Sequence, residues 1–150
     1  MENKVVIMRG IPGSGKSTYV LENYPKAIVC SADHYHITGD GLYNWTPERS
    51  EVAHELSRHK CRLSMRAKEP LIVIDCTNTQ LCEFQRYLYY AEWYGYEVEV
   101  VHMMSGGPVI SWRRNVHDVP LEVIEEMIDR WEPFEGETII PYEPRYGSSW

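Results

Sequence analysis

The sequence predicts an α/β fold: a parallel sheet of four or five strands with helices on both faces. Three observations lead there. Apolar runs at 5–8, 27–30 and 71–74 and an alternating stretch at 97–103 have strand length and β-branched character. Stretches with helical spacing separate them, the pattern of βαβ units. The first run also feeds straight into a glycine-rich turn that opens a helix.

Taken in order, Val5-Val6-Ile7-Met8 suits a buried parallel strand. The helix after the glycine-rich turn continues until Tyr24-Pro25 stops it. Ala27-Ile28-Val29-Cys30 is the second strand, ending at Ser31-Ala32-Asp33, and a polar, aromatic loop covers 34–45. Thr46-Pro47 starts a helix, Thr as N-cap and Pro at the first helical position. Val52, Leu56, Leu63 and Ala67 recur at helical spacing and carry it to about Lys68, ahead of Pro70. Leu71-Ile72-Val73-Ile74 is the third strand and Asp75-Cys76-Thr77-Asn78 its end. Thr79 is expected to cap a helix with Leu81, Phe84, Leu88 and Ala91 on one face, closed by Gly95. Residues 97–103 form the fourth strand, 105–108 a loop, and 109–115 a short helix with Arg113 and Arg114. Pro120 opens a last helix with Leu121, Ile124, Ile128 and Trp131 inward and Glu122, Glu125, Glu126 and Asp129 outward. The expected organisation is one domain over 1–150, with a lid at about 105–119 and an irregular tail at about 133–150, in which 138–140 is a candidate edge strand.

Composition narrows the class. At 150 residues, 43% hydrophobic and 25% charged, the chain can bury a core of its own. It has no apolar run of membrane-spanning length, and Met1-Glu2-Asn3-Lys4 leads directly into a strand, so neither a membrane partner nor a signal peptide is expected. The expected location is the cytoplasm, that of the host cell if the chain is phage-encoded. Cys30, Cys61, Cys76 and Cys82 lack paired C-x-x-C spacing and read as reduced, buried thiols. Net charge is −7, but the first 75 residues carry ten Lys/Arg against nine Asp/Glu, the last 75 five against thirteen. Arg58, Lys60, Arg62, Arg66 and Lys68 follow one another without an intervening carboxylate, which is either a solvated helix face or a basic surface for nucleic acid.

The glycine-rich turn is Gly10-Ile11-Pro12-Gly13-Ser14-Gly15-Lys16-Ser17-Thr18, a complete G-x-x-x-x-G-K-[ST] between a strand and a helix. Its glycines let consecutive backbone N–H groups point at phosphate oxygens, and the helix N-terminus adds partial positive charge. Lys16 is then expected to reach the β- and γ-phosphates of ATP, and the Ser17 hydroxyl to bind Mg²⁺.

Right-handed crossovers put every strand's C-terminal end on one rim, so Asp33 and Asp75 share a crevice with this loop. Asp75 either joins Ser17 at Mg²⁺ or caps the turn that follows, helped by Asn78. Asp33 stands where an alcohol acceptor would meet the γ-phosphate, as general base or as a plain helix cap. Arg113 and Arg114 follow a Gly-Gly-Pro loop, as a mobile lid over the γ-phosphate would; a surface pair bonded to the acidic last helix is the alternative.

One family unites these residues. The loop 10–18, Ser31-Ala32-Asp33-x-Tyr35, Ala53-His54, Asp75-Cys76-Thr77-Asn78-Thr79, Gly95-Tyr96-Glu97-Val98, Arg114-Asn115-x-His117-x-Val119-Pro120 and Trp131-Glu132-Pro133 together resemble the P-loop polynucleotide 5′-hydroxyl kinases. The kinase domain of T-even phage polynucleotide kinase, and related small kinase-like ATPases, are examples. The resemblance covers 4–133 with the motifs in the same order, and it implies a P-loop NTPase/kinase fold with an arginine-bearing lid. It implies that Lys16 and Ser17 carry ATP and Mg²⁺, that Asp33 deprotonates a 5′-hydroxyl of DNA or RNA, that Asp75 assists the metal, and that Arg114 is the lid arginine. It further implies Asn78 at the rim, Tyr35, His36 and His54 near the acceptor strand, and Trp131 and Pro133 near adenine. Tyr43 and Trp45 add aromatic rings on which a terminal base could stack.

The chain departs from that family in two places. His36 stands where the phage kinase has an acceptor-binding arginine, and His117-Asp118 where it has a second lid arginine. The 150 residues also contain no D-x-D-x-T phosphatase motif. Two other functions fit the same loop: a kinase for a small-molecule acceptor such as a nucleoside, sugar or antibiotic, and a nucleotide-gated ATPase or binding module whose protein partner the residues do not identify.

Overall fold

The computed structural model describes residues 2–35 and 46–144. Five strands, β1 (Lys4–Arg9), β2 (Ile28–Cys30), β3 (Leu71–Asp75), β4 (Glu97–Met103) and β5 (Thr138–Ile140), form one sheet in the order β2-β3-β1-β4-β5. Every neighbouring pair is parallel. The glycine-rich loop therefore leaves the middle strand, with the end of β3 on one side and that of β4 on the other.

Strand alternation decides what each face buries. Val5, Ile7, Ile72 and Ile74 point to one face, where α2 (Pro47–Arg66) and α3 (Leu81–Tyr94) cover them with Ala53, Cys61, Met65, Phe84, Tyr87 and Ala91. Val6, Met8, Val73 and Val101 point to the other face, packed by Val20 of α1 (Lys16–Asn23) with Tyr19 and Tyr24. Helices α4 (Pro108–Arg114) and α5 (Leu121–Asp129) pack on each other, and Ile124 is wholly buried.

Several helix details differ from the sequence-based expectation. The N-cap of α2 is Thr46, whose hydroxyl accepts from the Arg49 N–H at 3.1 Å, as expected. Its buried stripe is instead Ala53, Ser57, Cys61 and Met65, while Val52, Leu56 and Leu63 are exposed. The helix lies close over β2 and β3, and small side chains permit that approach where a Leu row would hold it off. The N-cap of α3 is Gln80, not Thr79; Gln80 and Glu83 form a capping box, and Thr79 turns its hydroxyl to the Glu83 carboxylate. Cys82 is exposed, against the expectation that all four thiols are buried. Burial pushes the Cys76 thiol up to about 12, so it stays protonated at neutral pH. Among the described residues, no helix is long and apolar enough to cross a membrane.

Arg9 ends β1 with no solvent exposure. Its guanidinium donates to the carbonyls of Asn78 (2.8 Å), Thr79 (3.0 Å) and Glu132 (2.7 Å) and pairs with the Glu137 carboxylate at 2.8 Å. It also lies over the rings of Trp131 (4.4 Å) and Phe84 (4.9 Å). Glu137 accepts in addition from the Phe134 N–H, and its second oxygen sits 2.8 Å from His102 Nδ1. The chain after α5 is thereby clamped, and β5 follows beside β4.

Removing one partner of a buried charge pair costs about 3–5 kcal/mol, so Glu137→Ala should lower unfolding stability by that order in urea titration. Burial also holds His102 below the usual imidazole range, against the opposing pull of Glu137. The unfolded chain then takes up this proton first, so stability falls as pH drops below about 6.5. In His102→Phe that part of the acid-side loss should disappear from the melting-temperature profile.

Candidate functional site

The loop from Gly10 to Gly15 is shaped by contacts that only glycine tolerates. A Cβ on Gly10 would meet Ser14 Oγ at 2.6 Å, and one on Gly13 would meet the Ser111 carbonyl oxygen at 2.3 Å. Gly13 and Gly15 also adopt φ of 82° and 93°, a region L side chains rarely enter. Gly15 is the N-cap of α1 and offers no side-chain acceptor, which leaves the first-turn N–H groups directed at the loop's concave side.

Each predicted loop residue lies there, with Pro12 and Thr18 half-buried beside it. Lys16 Nζ folds over the loop and donates to the carbonyls of Gly10 (2.8 Å) and Ile11 (3.4 Å). Ser17 Oγ donates to Asp75 Oδ2 at 2.8 Å, which joins the loop to the end of β3. Ser14 Oγ is buried with no hydrogen-bond partner among the described residues, as is Ser111 Oγ where α4 crosses the loop.

The adjoining strand end is stitched to the loop from below. Gly10 N–H donates to the Thr77 carbonyl at 3.0 Å, and Asn78 Nδ2 donates to the Met8 carbonyl at 2.8 Å. Asn78 is buried with φ of 48°, so its amide is committed to the fold and not to an acceptor at the rim, where the sequence-based reading put it. Asp75 is buried, and its observed partner is the Ser17 hydroxyl rather than a capped turn.

At the end of β2, on the same rim of the parallel sheet, Asp33 lies in a short 3₁₀ turn, Ala32–Tyr35. Its carboxylate is about half exposed, and Oδ2 sits 3.6 Å from Nε2 of His117, which belongs to the segment after α4. Asn115 shapes that segment, accepting from the Val119 N–H at 2.8 Å and donating to the Trp112 carbonyl at 2.6 Å. Arg114 is buried: its guanidinium lies 5.4 Å over the Tyr142 ring and donates to the Pro144 carbonyl at 3.3 Å. Arg113 is exposed. Sequence reasoning missed the Tyr142 and His117 contacts, although His117 stands in the Arg-Asn-x-His motif.

Trp131 stacks on His102 with centroids 4.4 Å apart and lines a cleft of about 140 Å³ with Ile11, Met103, Ser105 and Ile128. The cleft lies between the phosphate loop and the first residues after β4. Pro133 is exposed next to it, and His54 is half-buried on α2. The side chain of Tyr35, and the whole of His36, Tyr43 and Trp45, lie outside the described residues.

The donor set suits a hard divalent cation. A hydroxyl and a carboxylate oxygen 2.8 Å apart at the mouth of a phosphate loop are oxygen ligands of the kind Mg²⁺ takes. Among the described residues, no group of three or more His, Cys, Asp or Glu converges on a point. A cation here would therefore complete its shell with phosphate oxygens and water, as Mg²⁺ does in such sites.

Strand order, phosphate loop and the flanking carboxylates define a P-loop nucleotide-binding protein of the kinase fold. A profile described as AAA domain matches residues 5–134, and the chain belongs to that family. Human NEDD4-binding protein 2 is 30% identical over 142 residues, which is 91% of this chain but only 8% of that protein's length. A chain of the Pnkp1/Rnl/Hen1 RNA repair complex superposes with a TM-score of 0.69 at 20% identity, over 98% of this chain and 50% of that one. A gluconokinase from Sinorhizobium meliloti gives 0.61 at 12% identity, over 93% and 82%.

Gly13→Ala should be among the most damaging single changes in the loop, because it combines a positive φ with a clash against α4 backbone. Circular dichroism and limited proteolysis should register a loosened α4 with the sheet retained.

Proposed function

We propose that this protein is an ATP-dependent polynucleotide 5′-hydroxyl kinase with Asp33 as its general base. The observation that supports the reading is a half-exposed carboxylate on the turn after β2, at the end of the parallel sheet from which the phosphate loop also leaves. The motif set that surrounds it, from Asp33 through Asp75-x-Thr-Asn to Arg-Asn-x-His, supports a polynucleotide acceptor.

In this reading the loop N–H groups and the N-terminus of α1 bind the triphosphate. Lys16 exchanges its loop carbonyls for β- and γ-phosphate oxygens, and Ser17 and Asp75 hold Mg²⁺. Mg²⁺ held by these two residues would offset the negative charge of the transferring group. Asp33 accepts a hydrogen bond from the 5′-hydroxyl, orients it in line with the γ-phosphate and takes its proton as the O–P bond forms. Trp131 and its cleft, with Pro133 at the edge, are the proposed adenine end. The segment at about 105–119 acts as the lid of a single domain. It brings Arg114 over the γ-phosphate, with Arg113 as a second candidate, and closure requires Arg114 to leave Tyr142 and Pro144. Tyr35, His36, Tyr43, Trp45 and His54 are the proposed acceptor-side residues, and the location in this reading is cytoplasmic.

A small-molecule acceptor is the second reading. It is favoured by the net charge of −7 and by His36 at the place of an acceptor-binding arginine.

The test is label transfer from γ-labelled ATP to a 5′-OH single strand, with Asp33→Asn and Lys16→Ala in parallel. Wild type should label the strand, and Asp33→Asn should lose at least roughly 100-fold in kcat while still binding ATP. Lys16→Ala should lose both. If the wild type binds ATP yet labels no oligonucleotide, but labels a nucleoside or sugar, the small-molecule reading takes its place.

A further inference from the structure

Away from the crevice, one surface is distinctly cationic and aromatic in an otherwise acidic chain. On α2, Arg58, Arg62 and Arg66 recur every fourth residue and form a row along the helix. On α3, Arg86, Tyr89 and Trp93 recur at three- and four-residue intervals and form a second row. The two helices pack together, and Arg62 joins the rows by lying 5.6 Å over the Tyr90 ring, itself in edge contact with Tyr89. Tyr89 is 63% and Trp93 74% exposed, unusual for rings of that size. Among the described residues, no hydrogen bond or ion pair engages Arg58, Arg66 or Arg86. The carboxylates Glu55 and Glu92 stand at the margins, one turn nearer the crevice and beside Trp93 in sequence.

We propose that this α2–α3 face binds single-stranded nucleic acid, its phosphates on the arginine row and its bases stacked on Tyr89 and Trp93. Unpaired guanidinium groups interleaved with exposed rings fit a polyanion with flat bases, and the row's sign is opposite to that of the chain as a whole. The proposal rests on the polynucleotide reading and extends it. Helix α2 starts near the turn that holds Asp33 and runs away from the rim. At 1.5 Å per residue, Arg58 lies about 16 Å and Arg66 about 28 Å along it. A strand with its 5′ end at Asp33 reaches this face only after several nucleotides, so the face selects for acceptor length.

The experiment is fluorescence anisotropy with a 5′-phosphorylated, 3′-fluorescein single strand of about 20 nucleotides, longer than ordinary single-strand site sizes. The 5′-phosphate removes the acceptor hydroxyl, so only binding is read. The double variant Arg62→Glu/Arg66→Glu should bind at least about tenfold more weakly and flatten the slope of log K against log salt by about 1.4. Trp93→Ser should weaken binding roughly fivefold or more with the slope unchanged. Lys26→Glu, exposed beyond the other face of the sheet, serves as the control and should bind as wild type does. Circular dichroism of each variant checks the fold. Wild-type affinity in the double variant, or an equal loss in Lys26→Glu, overturns the proposal. Label transfer separates the two readings. A 5′-OH dinucleotide, too short to reach α2–α3, should be labelled equally by wild type and double variant, while KM for the long strand rises in the variant alone. Absence of transfer to either oligonucleotide in every protein defeats the polynucleotide-kinase reading, and the anisotropy result still decides the face.

Discussion

A guanidinium without solvent contact must find partners inside the protein, and Arg9 finds them in two distant stretches at once. A buried, unpaired charge would cost several kcal/mol, so the chain is constrained to bring acceptors to it. Two come from the connection between β3 and α3, and two more from the stretch between α5 and β5. The first pair fixes the strand end on which Asp75 stands. The second carries the tail back to the sheet and sets Trp131 against His102. The phosphate loop begins one residue after Arg9, so its geometry inherits this fixed floor.

The crevice built on that floor has two unlike sides. The nucleotide side is close-packed: Gly13 touches α4 backbone, Ser17 is bonded to Asp75, and the strand ends are cross-bonded through Thr77 and Asn78. The side that carries Asp33 is open. Asp33 is half exposed, and the described group facing it at 3.6 Å, His117, comes from the segment that follows α4. Under the proposed kinase reading, a close-packed phosphate cradle beside a more open Asp33 side divides the work of phosphoryl transfer. Positioning and charge stabilisation must be fixed at the phosphates, while the acceptor has to enter and leave.

Much of this was legible in the sequence because it is local. Unmixed apolar runs gave the strands, Thr46-Pro47 and Gly95 gave helix ends, and the phosphate loop announced itself between a strand and a helix. What stayed hidden depends on distant partners. Arg9 reads as an ordinary charged residue at a strand end, because its carboxylate lies 128 residues away. The buried face of α2 was misread because large apolar residues dominate a periodicity argument, whereas the sheet selected Ala53, Ser57 and Cys61 for their size. The resemblance put Asn78 at the rim, yet its amide donates to the Met8 backbone carbonyl, a partner 70 residues away. The contact of Arg114 with Tyr142 escaped because nothing in the tail's sequence marks what it covers.

The central claim is that Asp33 and the phosphate loop address one acceptor hydroxyl and one γ-phosphate. A crystal structure with a non-hydrolysable ATP analogue, Mg²⁺ and a short 5′-OH oligonucleotide tests it most directly. The account predicts Lys16 turned from the Gly10 carbonyl to the phosphates, and the 5′-oxygen within hydrogen-bond reach of Asp33, roughly 2.6–3.2 Å. An oligonucleotide whose 5′ end lies elsewhere, with Asp33 facing solvent or still facing His117, would contradict it.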